Sequence, residues 1–121
     1  MKGDRSDLKL RTKQYALRII RLFGSLPNTT EGQVLGKQLL RSGTSVGAHY
    51  REAQRVKSSA DFVSKMEGAL QELDETEYWL ELIGETSIVA QERLEALIGE
   101  TSELTAIFVS MVKNVKASKA N

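Results

Sequence analysis

Apolar residues recur at three- and four-residue spacing along nearly the whole chain, and no stretch alternates as a strand would. Leu8, Tyr15, Ala16, Ile19, Leu22, Phe23 and Leu26 define a first helix over about 6–24, starting at Ser6 or Asp7 and stopping at Gly24. The single proline, Pro27, marks a loop. Thr30 and Gln33 fit a capping box ahead of a second helix over about 31–55, whose stripe is Leu35, Leu39, Ser42, Val46, Tyr50 and Ala53. Ser58 or Ser59, with Asp61 in the first turn, starts a third helix over about 59–83. Phe62, Met66, Ala69, Leu70, Leu73 and Leu80 share its inner face, and Gly84 ends it.

Ser87 reads as the cap of a fourth helix over about 88–116, with Leu94, Leu97, Ile98, Thr101, Leu104, Phe108, Met111 and Val115 on one stripe. Leu82-Ile83-Gly84-Glu85-Thr86-Ser87 recurs as Leu97-Ile98-Gly99-Glu100-Thr101-Ser102. The apolar stripe keeps its phase through Gly99, so this helix is expected to continue and the repeat to be coincidental. The tail from Ala117 is expected to fray. Four amphipathic helices with short connections predict one all-α domain over 1–121, an antiparallel up-down four-helix bundle.

Composition narrows the chemistry. The chain has 121 residues and no cysteine, which excludes disulfides, thiolate metal sites and thiol nucleophiles. The first residues are charged, so no secretory signal is expected. No run approaches the roughly 20 apolar residues of a membrane span. These readings point to a cytoplasmic protein that does not meet a membrane.

The net charge of +1 conceals an uneven distribution. Met1 to Lys57 carries 12 basic and 4 acidic residues, a net of +8. Ser58 to Asn121 carries 5 basic and 12 acidic residues, a net of −7. Such asymmetry implies a charged partner, or attraction between the halves within a bundle or between subunits.

The basic residues of helix 2 have a pattern. At about 100° per residue, with Lys37 at 0°, Arg41 falls near 40°, Arg51 near −40° and Arg55 near 0°. The core stripe lies opposite, and the row is about 27 Å long. Thr44 and Ala48 between the cations keep the face low. Lys9, Arg11, Lys13, Arg18 and Arg21 on helix 1 widen it. A row of cations over a flat face suits a phosphate backbone, and without interleaved aromatics it predicts sequence-nonspecific contact with RNA or DNA. The structural alternatives are a solvated face or one that meets acidic helices of a neighbouring subunit.

On helix 3, Tyr78 and Leu82 face away from the core stripe and Trp79 lies on the flank, which predicts an oligomer seam or burial under helix 4 or a chain end. Gly43 and Gly47 among small residues predict a close helix crossing. One histidine, in the order His49-x-x-Glu52, falls short of the paired Glu-x-x-His of a di-metal bundle. Glu52 or Glu72 is expected instead to pair with a helix 2 arginine or to cap a hydroxyl such as Ser45. No catalytic residue, metal or cofactor is predicted, since no nucleophile has a base and orienting group beside it.

Three segments carry a family likeness. Arg41-Ser42-Gly43-Thr44-Ser45-Val46-Gly47-Ala48-His49-Tyr50-Arg51-Glu52-Ala53-Gln54 resembles the signature of the four-helix-bundle proteins encoded by intervening sequences in bacterial 23S ribosomal RNA genes. Ser59-Ala60-Asp61-Phe62-Val63-Ser64-Lys65 and Leu70-Gln71-Glu72-Leu73-Asp74-Glu75-Thr76-Glu77-Tyr78-Trp79-Leu80 resemble its second half. His49 stands where that pattern has Asn. The resemblance implies an up-down bundle, often a pentameric ring, without established enzymatic activity. A protein of similar fold, the accessory variability protein of diversity-generating retroelements, binds nucleic acid through a basic surface.

Overall fold

The computed structural model describes residues 7–120, with side chains described through Ser118. Four helices follow one another: α1 (Leu8–Gly24), α2 (Thr30–Arg55), α3 (Ser59–Glu85) and α4 (Gln91–Ala120). Contacts across the seams run in opposite residue order, so neighbouring helices are antiparallel. Gly36 faces Phe23 and Gly47 faces Thr12 between α2 and α1. Arg41 meets Glu72 while Lys65 meets Glu52 between α2 and α3. α4 meets α3 through Gln91 at Gly84 as well as Lys116 at Glu67, and meets α1 through Arg93 at Ser25 as well as Glu100 at Arg11. The result is the all-α up-down bundle.

The expected stripes supply the core, with Leu8, Ile19, Leu39, Val46, Met66, Leu73, Leu80, Leu94, Leu104 and Phe108 fully buried. The Tyr50 and Phe108 rings stack with centroids 5.6 Å apart. Midway along the bundle one buried hydroxyl from each helix enters a hydrogen-bonded pair. Ser42 and Thr76 share a hydrogen bond of 2.8 Å, and Tyr15 and Thr101 share one of 2.6 Å. Thr76 and Thr101 donate to the carbonyls of Glu72 and Leu97 as well, so these polar groups are satisfied inside the core.

Burial pushes the Tyr15 phenol up to about 12, although the Thr101 and Thr76 hydroxyls pull it back. Phenolate is therefore better tolerated in the unfolded chain. The Tyr15 contribution to stability is intact below pH 10 and is lost as pH rises through about 12. Denaturant midpoints measured across that window should fall in the native protein and fall less in Tyr15→Phe.

Helix ends differ from expectation in detail. Thr29, not Thr30, caps α2, accepting a 3.1 Å bond from the Gly32 amide. Gln33 reaches the Pro27 carbonyl instead of turning back to the cap. Ser58 caps α3 through the Asp61 amide at 3.0 Å. Ser87 caps nothing: it holds φ of 60°, and its amide bonds Gly84 O while that of Ile88 bonds Ile83 O. This is a Schellman turn closing α3, with serine where glycine is usual. Relief of that left-handed strain predicts that Ser87→Gly raises stability by about 1 kcal/mol, measurable by urea unfolding. An N-cap serine would give the opposite sign. α4 starts at Gln91, runs unbroken through Gly99, and extends to Ala120.

Candidate nucleic-acid interface

α1 carries five cations and no acid, and α2 carries four cations and two acids. The packing separates them into three groups. On α2, Lys37 and Arg55 are exposed on the outer face. Arg41 leans toward α3, where its guanidinium reaches Glu72 at 3.3 Å and Glu75 at 2.5 Å. The Glu75 hydrogen bond chiefly, with Glu72, raises the Arg41 pKa further. Arg51, displaced to the other side of the row, leans toward α1. There it is half-buried at the edge of a groove of about 320 Å³ between α1 and α2. The opposite offsets of Arg41 and Arg51 from the Lys37–Arg55 line decide which neighbour each one meets.

That groove is shallow because α1 and α2 touch through glycine. A Cβ on Gly43 would lie 2.7 Å from Ile19, and one on Gly47 3.1 Å from Thr12. Thr12, Ala16, Thr44, Gly47 and Ala48 line it with Lys13 and Arg51, and Lys9 and Leu10 extend it. The Thr44 hydroxyl is turned inward to the Leu40 carbonyl at 2.7 Å. Lys9, Lys13 and Arg51 thus surround a low floor of small residues. Among the described residues none of the three reaches a carboxylate.

The remaining α1 cations face α4. Arg11 donates to both oxygens of Glu100 and to Glu103, each at 2.7 Å. The Glu100 bond is the main reason its pKa is raised. Arg18 and Arg21 lie further along the same seam, with Arg93 of α4 across from them. The seven cations expected to act together therefore do not share one face. Helical angles place residues around one helix, but only the packing says which helix lies beyond each edge.

The α2–α3 seam explains the acids. Glu72 binds Arg41, and its other oxygen lies 3.6 Å from His49 Nε2. Glu52 pairs with Lys65 at 3.1 Å. The Ser45 hydroxyl is bonded to the Arg41 carbonyl at 2.7 Å instead of to a carboxylate. The His49 ring lies against Gly68, whose missing side chain makes the room.

A model of the 23S rRNA-intervening sequence protein family matches residues 6–110. The chain belongs to this family. A crystal structure of a protein of unknown function, from the S23 ribosomal protein family of Bacteroides thetaiotaomicron, is similar with a TM-score of 0.82 and 41% identity. The match covers 87% of this chain and 97% of that one. No curated protein matches. Among the described residues of this intervening-sequence protein, no helix is long and apolar enough to cross a membrane.

The residues expected at an oligomer seam are unequal. Tyr78 is exposed, its ring tilted against Trp79 at 5.2 Å. Trp79 is half-buried and packs on the core, and Leu82 is half-buried. Trp79 Nε1 is buried without a hydrogen-bond partner among the described residues. A second apolar strip went unread: Leu10, Leu17 and Ile20 on the outer face of α1 are 57%, 40% and 46% exposed. Their seven- and three-residue spacing is that of a coiled-coil seam. It was legible, but the stronger core stripe of the same helix masked it.

Proposed function

We propose that this intervening-sequence protein is a non-enzymatic, self-associating bundle that grips nucleic-acid backbone, RNA foremost, along the outer face of α1 and α2. The observation that carries this reading is the state of its cations. Of the nine on those helices, only Arg11 and Arg41 reach a carboxylate among the described residues. Lys9, Lys13 and Arg51 border a groove whose floor lets a strand approach closely, and Lys37 and Arg55 continue the positive face. Phosphate contact of this kind releases counterions and is steeply salt-dependent. A symmetric assembly would multiply weak contacts by avidity.

The test is anisotropy of labelled structured RNA and duplex DNA over a salt series. Lys9→Glu, Lys13→Glu and Arg51→Glu together should reduce the salt slope by about 3 and weaken every sequence alike. Arg11→Gln should leave affinity nearly unchanged while lowering stability by about 1–2 kcal/mol, because its charge is already committed to α4. Absence of binding at low salt, or a slope untouched by the triple reversal, would overturn the reading.

A second reading has its own support. The exposed α1 strip lies among cations, while the outward side of α3 carries Asp74 and Glu81 around Tyr78. Two such faces on one subunit are complementary and fit a head-to-tail contact that closes into a ring. On this reading the basic face serves assembly.

A further inference from the structure

We propose that the cleft between the C-terminal half of α1 and the first turns of α4 is a separate anion site that takes a terminal phosphate or diphosphate group. Arg18 and Arg21 from α1 and Arg93 from α4 line this cleft of about 250 Å³, over Leu22, Ala96 and Leu97. The Ser25 hydroxyl stands at its rim, 3.5 Å from Arg93 Nη2. None of the three arginines reaches a carboxylate among the described residues.

The contrast along this one seam is informative. At the other end, two carboxylates neutralise a single arginine, Arg11. Here three guanidinium groups share a cleft with no acid in its lining. Glu92 and Glu95, beside Arg93 in sequence, are exposed and not part of the lining. Glu100, two turns along α4, is held by Arg11. Arg21 gains from its place in the last turn of α1. Arg93 does not gain in this way: it sits in the first turn of α4, where the helix dipole opposes a cation. The positive end of the α4 dipole and the Arg93 guanidinium both favour an anion bound between them. Planar guanidinium forks match phosphate oxygens in pairs. The apolar floor leaves a surface for whatever the phosphate is attached to, a free nucleotide or the 5′ end of an RNA.

These residues do not overlap with Lys9, Lys13 and Arg51, so this site and the α1–α2 groove succeed or fail independently. The experiment is calorimetric titration of the full-length protein with inorganic pyrophosphate at low salt, following the arginine Nε–Hε resonances in parallel. Saturable binding is expected, with shifts in three arginine signals. Arg93→Gln and Arg18→Gln should each weaken it about tenfold. Lys13→Gln with Arg51→Gln should leave it unchanged. Displacement by a 5′-phosphorylated short RNA but not its 5′-hydroxyl form would assign the site to RNA ends. Displacement by ADP but by neither RNA would assign it to free nucleotides. Failure of pyrophosphate to bind, or unchanged affinity in Arg93→Gln with native melting behaviour, would overturn the proposal.

Discussion

Gly43→Leu is expected to destabilise the bundle by about 3 kcal/mol or more, read as a fall in the urea midpoint. A Cβ at this position would meet three Ile19 carbons at 2.7, 2.9 and 3.0 Å. Ile19 is itself fully buried, so it cannot retreat without displacing its own neighbours. Even Gly43→Ala should be destabilising, because the roughly 1 kcal/mol gain in helix propensity is smaller than the cost of prising α1 from α2. Gly99 is the contrasting case. Nothing lies within 4 Å of its would-be Cβ, so Gly99→Ala should stabilise by about 0.5–1 kcal/mol. Gly84 occupies the same sequence repeat as Gly99, yet its Cβ would strike the Gln91 side chain at 2.8 Å and Leu94 at 3.2 Å. Identical hexapeptides thus place their glycines in different surroundings, one open and one packed. If Gly43→Ala and Gly99→Ala shifted the midpoint equally, the close crossing of α1 and α2 would be refuted.

This comparison also shows what the sequence could and could not convey. Periodicity located the helices because burial of one face is a property of each segment by itself. It located the glycine crossing because small residues at helical spacing have few other uses. It set the α2 cap one residue late, at Thr30 instead of Thr29, because adjacent threonines carry the same hydroxyl. It misread Ser87, because serine is far commoner before a helix than in the left-handed turn after one. The candidate site was the least legible. Lys37, Arg41, Arg51 and Arg55 did lie on one outer arc of α2. Arg41 was nonetheless lost to Glu72 and Glu75, and Arg11 to Glu100 and Glu103, because those acids are 31 to 92 residues away in the chain. Arg93 has no local signature in the sequence, being a lone arginine in an acidic stretch. Its position opposite Arg18 and Arg21 follows only from the antiparallel register of α1 and α4.

On the assembly reading, Leu17→Glu combined with Ile20→Glu should convert the oligomer to monomers in sedimentation equilibrium. The monomers should keep their helical signal and most of their thermal stability. Both side chains are about half exposed on the isolated bundle, so they add little to its core. Their apolar area contributes only when another surface covers it. The charge of the substituent makes the test specific. If the covering surface is the outer side of α3, with Asp74 and Glu81 around Tyr78, glutamate adds repulsion to the loss of apolar contact. Lysine at the same positions restores part of the attraction, so the lysine variants should dissociate less than the glutamate variants. Equal dissociation would remove α3 as the partner face. The outcome also bears on RNA. Leu10 borders the same groove as Lys9, Lys13 and Arg51, so an α3 helix seated on the α1 strip passes beside those cations. Monomeric variants that bind RNA as tightly per site as the assembled protein would mean that the groove stays open in the assembly. Variants that gain RNA affinity as they dissociate would mean that nucleic acid and the neighbouring subunit compete for one basic face.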